Sequence, residues 1–291
     1  MSREEALEAF ELLVQRWHGL HWIEDYDERM LATFEVRRGW EPRVAALLEH
    51  AEEGGPQLWY ALGFAFQGGH GVERDPSTAE SWYERAATAG HARAMVRLAL
   101  CKKQSENPRE REAGVEWLRK AAEVGDGGAM WFLGSAYREG QGVGRDFEQA
   151  ITWFLKAVEA GHRSGWISAA GVYDDHLKMP ERAVPLLRRA AELGLTDSYS
   201  RLGSILERRG TPVSDPIEAA AWYEKMADLG GISAPRAMMA LAQLARSGNG
   251  RTPDPATARK WLLRICSTTA PNEYWHKQAT DLLRKMDGEL L

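Results

Sequence analysis

Three features of this 291-residue chain predict an all-α fold of stacked helix–loop–helix units, an α-solenoid. The first is a period: Gly54, Gly90, Gly125, Gly161, Gly194 and Gly230 are separated by 36, 35, 36, 33 and 36 residues. The second is a phrase that leads into those glycines. Trp82, Trp117, Trp153 and Trp222 each open a run of the type Trp-aromatic/Leu-x-Lys/Arg-x-x-x-x-Gly, with Ala at one or both of the two positions after the cation, and a degenerate copy opens with Leu186. The third is a start signal seven residues before the tryptophan: Asp75-Pro76, Asp146, Asp215-Pro216 and, ahead of Trp261, Asp254-Pro255. An aspartate carboxylate accepts from the orphan N–H groups of a first helical turn, and proline there loses no hydrogen bond. Glycine suits the stop, where the backbone turns left-handed. One helix therefore runs from each Asp to each Gly.

A second helix precedes it in every unit, marked by a small residue at Leu62-Gly63, Leu98-Ala99, Leu133-Gly134, Ala170-Gly171, Leu202-Gly203 and Leu241-Ala242. Helical glycine costs about 1 kcal/mol against alanine, so its recurrence at one register predicts close helix approach. The Ala-Ala pairs 86–87, 121–122 and 190–191 are the expected partners. The glycine-rich segments Gly68–Val72 and Gly140–Val143 join the two helices. The repeated tryptophans are expected in the core between units.

Residues 1–40 read as an acidic helical leader and cap. Ser2 to Glu5 forms a capping box, Ala6, Leu7, Phe10, Leu13, Val14 and Trp17 share one face, and a second amphipathic segment covers 22–38. Residues 41–266 form the solenoid, and 267–291 supply a closing helix.

The pattern resembles the Sel1-like repeat family, relatives of the tetratricopeptide repeats. Residues 126–161 carry it most fully, with Ala129, Leu133-Gly134, Tyr137, Gly140-x-Gly142-Val143, Asp146, Ala150, Trp153-Phe154, Ala157 and Gly161. The resemblance implies a right-handed α/α superhelix of about six repeats and a role as scaffold, adaptor or regulator of other proteins. Bacterial members also serve as immunity-type inhibitors or chaperones of toxins and secreted effectors, which is the alternative reading. Segment 162–194 departs from the pattern: it lacks the Gly-x-Gly-Val loop, has Leu186 for Trp, and sets Pro185 inside the second helix, where a kink is expected.

Composition narrows the function classes. The net charge is −5, and eight acids against three arginines in residues 1–30 account for all of it. A neutral body behind an acidic leader offers no general attraction for nucleic acid or an anionic membrane. No apolar run reaches membrane-spanning length and no signal-peptide core opens the chain, so a cytoplasmic protein is expected. Cys101 and Cys266 are too few for a disulfide or zinc framework and read as buried thiols.

Signals for catalysis are weak, and no enzyme, cofactor or metal is predicted. His18 and His21 lie a turn apart but lack further ligands, so a metal-dependent enzyme is the weaker alternative. Asp174-Asp175-His176 reads as a solvated loop, and Gly140-x-Gly142-x-Gly144 follows no strand and so is no phosphate loop.

If the small residue faces the second helix, neighbouring positions of the first helix line a concave groove. In the first three units these are Tyr60, Phe64, Gln67; Val96, Leu100, Lys103; Trp131, Ser135, Arg138, with Arg93 beside them. Aromatic, aliphatic and basic groups together suit a protein or peptide with apolar and acidic anchors. The next two units offer Ser168, Val172, Asp175, Ser200, Ser204 and Glu207. The acidic leader is a competing occupant, its charge matching Arg93, Lys103 and Arg138.

Overall fold

The computed structural model describes residues 2–19, 39–208, 210–248 and 252–288, with 16–19 by backbone alone. The second leader segment at 22–38, His21 and the side chains of Trp17 and His18 lie outside the described residues. Among those described there is no strand. The chain divides into two compact parts, Met1–His162 and Arg163–Leu291.

The N-terminal part holds α1 (Arg3–Gly19), α2 (39–49), α3 (Pro56–Gly68), α4 (Pro76–Thr88), α5 (Ala92–Lys103), α6 (Pro108–Glu123), α7 (Gly127–Glu139) and α8 (Phe147–Glu159). The start and stop signals act as expected. Asp75 accepts from the N–H groups of Ser77 and Thr78, and Asp146 from those of Glu148 and Gln149. Bonds from Thr78 and Ser77 hold the Asp75 carboxyl down at about 2. Gly90, Gly125 and Gly161 sit at φ of +91°, +88° and +88°. Helix α6 starts earlier than the Trp-minus-seven rule, because Asn107-Pro108 caps it.

Close approach at the small residue is real, but its partner is different from the one expected. A Cβ on Gly63 would lie 2.6 Å from the Tyr83 ring, and one on Gly134 would lie 2.6 Å from the Phe154 ring. The residue that follows the tryptophan, not the Ala-Ala pair, fills that contact. Tyr83, Leu118 and Phe154 are buried accordingly. The repeated tryptophans are half-buried, and a cation three residues on lies over each ring: Arg85 on Trp82, Lys120 on Trp117 and Lys156 on Trp153, at 5.8, 4.3 and 4.4 Å. One helical turn brings i and i+3 together, so the aliphatic stem and cation shield the exposed ring face.

The glycine-rich loops pack the next layer. A Cβ on Gly71 would meet the Trp40 carbonyl carbon at 2.6 Å, and one on Gly142 the Arg111 oxygen at 2.4 Å. Both glycines also have positive φ, so each loop presses its backbone onto the second helix of the preceding layer, α2 or α6.

The C-terminal part holds α9 (Gly165–Gly171), which widens into a π-helical turn over Val172–His176, then α10 (Pro180–Glu192), α11 (Asp197–Leu206), α12 (Pro216–Leu229), α13 (Ala234–Ser247), α14 (Pro255–Thr268) and α15 (Tyr274–Gly288). Asp215 and Asp254 cap their helices. Gly203 meets the Tyr223 ring as Gly63 meets Tyr83, and Lys225 and Arg264 lie over Trp222 and Trp261. Helix α10 runs as one segment through Pro185, which lies on its exposed side. The irregularity of this repeat sits instead in the π turn of its first helix. Asp174-Asp175-His176 is thus helical rather than a loop, and Asp174 is 4% exposed. Cys101 and Cys266 are free and half-buried rather than buried.

Candidate functional site

The predicted surface divides into three local environments along the N-terminal part. The first is an open cavity of about 530 Å³ lined by Tyr60, Phe64, His91, Arg93 and Arg97, with Phe10, Glu11 and Val14 of α1 on its other wall. Tyr60 stacks on His91 at 4.7 Å and Phe64 on His70 at 5.1 Å. His91 also caps α5, its Nδ1 accepting from the Ala94 N–H. Burial, assisted by the Arg93 charge, lowers the His91 pKa and keeps the ring neutral. Arg93 is exposed at the rim.

Helix α1 is part of this wall. Ala6, Phe10 and Leu13 are buried with Trp40, Val44, Leu47 and Leu62, and Phe10 meets Phe64 edge-on at 6.3 Å. The capping box forms, with Glu5 N–H donating to Ser2 Oγ and Ser2 N donating to Glu5 Oε2. The first leader helix therefore covers one side of Phe64 and leaves Tyr60 and Arg93 facing the cavity.

Gln67, Val96 and Leu100 are half-buried and engaged elsewhere. Gln67 Oε1 accepts from the Tyr83 hydroxyl at 2.8 Å, Val96 packs on the core, and Leu100 lines a void of about 20 Å³ with Lys103. The third environment, around Trp131, corrects two expectations. Ser135 is 4% exposed and presents nothing to a groove. Lys103 and Arg138 are not free cations for an acidic partner: Lys103 Nζ lies 3.3 Å and Arg138 Nη2 2.8 Å from the Glu139 carboxylate. Burial works against that carboxylate's charge, yet the bonds from Arg138 and Lys103 prevail and hold its pKa below the ordinary range. Among the described residues, no ion pair joins a leader acid to Arg93, Lys103 or Arg138.

In the C-terminal part, Val172 is fully buried, whereas Asp175, Ser200 and Ser204 line a cavity of about 220 Å³. Three arginines share it: Arg201 and Arg208 on and just past α11, and Arg236 on α13. Arg208 donates to both Asp174 oxygens at 2.6 and 2.9 Å, and Arg201 Nη1 donates to Asp175 at 3.2 Å. Reading only the serines and acids missed the arginines. The seven-residue spacing of Arg201 and Arg208, two turns' worth on a continuous helix, is the available signal.

The Sel1 repeat model matches residues 60–91, 92–126, 128–162, 180–195, 196–231 and 235–267. The chain belongs to the Sel1 repeat family. The longest stretch left between matched segments, 163–179, contains α9 and the π turn. A Sel1 repeat protein from Oxalobacter formigenes has a similar structure, with a TM-score of 0.59 and 27% identity, covering 78% of this chain and 92% of that one. In sequence, the chain is 26% identical to chitin synthase regulatory factor 3 of Schizosaccharomyces pombe, over 76% of this chain and 25% of that protein. It is 29% identical to an exopolysaccharide production negative regulator of Rhizobium leguminosarum bv. viciae, over 53% of this chain and 49% of that protein. The chain thus spans a quarter to about half of the length of these curated relatives. Sel1 repeat proteins are typically protein-interaction scaffolds and generally non-enzymatic. No described helix is long and apolar enough to cross a membrane.

Proposed function

We propose that this chain is a non-enzymatic adaptor that binds a polypeptide partner on its first repeats, between α1 and the exposed ends of Tyr60 and Arg93. The observation that carries this reading is the 530 Å³ cavity, where stacked aromatic rings lie beside Arg93 and Arg97. Tyrosine and arginine in a partly enclosed apolar pocket are the residue types that dominate binding energy at protein interfaces. Neighbouring repeats hold the rings in place before binding, which lowers the ordering cost. A complementary partner segment inserts an apolar side chain between Tyr60 and Phe10 and sets a carboxylate against Arg93. The regulatory names of the yeast and rhizobial relatives favour an adaptor that controls another protein's activity by binding it.

The test is affinity capture from the source cells with wild type and three variants, read by mass spectrometry. Tyr60→Ala and Arg93→Glu are each expected to lose one abundant partner that wild type and Arg138→Glu retain. Hot-spot truncations cost about 2 kcal/mol or more, roughly 30-fold in Kd. Undiminished capture by the folded Tyr60→Ala and Arg93→Glu proteins would remove the binding site from this cavity.

A further inference from the structure

We propose that the cavity beside the π turn is a second, independent binding site, which takes one oxyanion (carboxylate or phosphate) presented by a polypeptide. Its walls come from three successive first helices, α9 with its π turn, α11 and α13, and its volume of about 220 Å³ suits one such group. Arg201 and Arg208 are fixed yet accessible, their side chains 43% and 44% exposed while each is held from behind by an aspartate. Arg236 is exposed and joins no ion pair among the described residues. Ser200 and Ser204, one turn apart on α11, add hydroxyl donors at the same wall.

Local geometry is organised around these guanidinium groups. Gly171 occupies the register where other repeats receive an aromatic ring, but here a Cβ would lie 3.1 Å from Arg201 Nη1. The π turn then sets Asp174 inward for Arg208 and Asp175 outward for Arg201. Lys178, just past the turn, is the one described non-glycine residue with positive φ, at 58°, and its Nζ donates to the Asp175 carbonyl oxygen. π turns and left-handed non-glycine residues concentrate at functional sites.

Charge favours an anion. Three arginines and two aspartates line the cavity, and Glu207, outside that lining, is drawn electrostatically to Arg236 and Arg208 although burial raises its pKa. Within the lining Arg236 is the cation without an aspartate partner, and guanidinium groups carry planar donors matched to an oxyanion.

Fluorescence anisotropy on the full chain tests this with three labelled peptides of equal length: oligoglutamate, a Ser/Ala peptide with one phosphoserine, and its unphosphorylated form. One or both anionic peptides are expected to bind saturably and the neutral one not to bind; the tighter of the two identifies the anion source. Arg236→Ala is expected to weaken binding about tenfold, the loss of one charge-assisted hydrogen bond. Asp175→Asn is expected to tighten it, because it removes the carboxylate that competes for Arg201. A purely structural Arg201–Asp175 staple gives the opposite or no change. Tyr60→Ala leaves this binding unaltered, so the two sites stand or fall separately. The proposal is overturned if neither anionic peptide binds, or if Arg236→Ala and Asp175→Asn leave the Kd unchanged in proteins whose helical circular dichroism matches wild type.

Discussion

The repeat at 126–161 and the one at 163–194 use the same register for opposite purposes. In the first, Gly134 admits the Phe154 ring, and the contact is fully buried and within one repeat. In the second, Gly171 faces the Arg201 guanidinium of the following repeat, and Leu187 takes the buried position after the missing tryptophan. An aromatic lock has been replaced by an aliphatic core residue and an ionic connection one layer on. A glycine at a repeat's contact register is therefore defined by what approaches it, which the motif alone does not state.

The largest effect that would break this comparison is at Phe154. Phe154→Ala is expected to cost about 3–5 kcal/mol in urea unfolding, as for other fully buried aromatics, while the adjacent Trp153→Ala costs about half as much because its ring is already partly in water. Equal losses at the two positions would refute the assignment of the core to the residue after the tryptophan.

Next in size is a glycine pair. Gly134→Ala drives a Cβ into the Phe154 ring and the Ala150 carbonyl oxygen at 2.6 and 3.0 Å, and overpacking of that kind costs about 1–3 kcal/mol. Gly171→Ala meets only the guanidinium end of Arg201, at 3.1 Å, which can give by a few tenths of an ångström, so its cost is expected below about 1 kcal/mol. Matched denaturation midpoints for the two variants would erase the distinction between the repeats.

The smallest effect is pH-dependent and belongs to the N-terminal cavity. The folded state depresses the His91 pKa, so it prefers the neutral ring whose Nδ1 caps α5. That preference contributes in full above the unfolded histidine value of about 6.5 and is lost as pH falls from there through the folded value. A His91→Asn variant, which retains a capping acceptor without titrating, is expected to show a shallower fall in melting temperature over that window. Parallel profiles would assign the acid sensitivity to other groups.

Much of the architecture was legible because its signals are local. Asp75, Asp146, Asp215 and Asp254 cap within three residues of themselves, and Gly90, Gly125 and Gly161 stop helices by their own backbone conformation. The site was less legible because its properties depend on residues far apart in sequence. Lys103 and Arg138 read as free cations until Glu139 is seen between them, 36 residues from the lysine. Asp174 read as solvated because its partner, Arg208, lies 34 residues on. Likewise, periodicity marks Trp153 and Phe154 as one apolar pair and does not say which of them faces inward.

The self-contained caps bear on how such a chain changes length over generations. A repeat that carries its own start, stop and aromatic lock can be duplicated or lost as one cassette of DNA, provided that the copied loop glycine again meets the layer before it. The repeat with the π turn cannot be copied that way. Its aspartates are answered by Arg201 and Arg208 in the next repeat, so a duplication of one without the other would leave Asp174 buried and unpaired. Those two repeats are therefore coupled through a buried carboxylate, and a rearrangement of the array would have to keep them together.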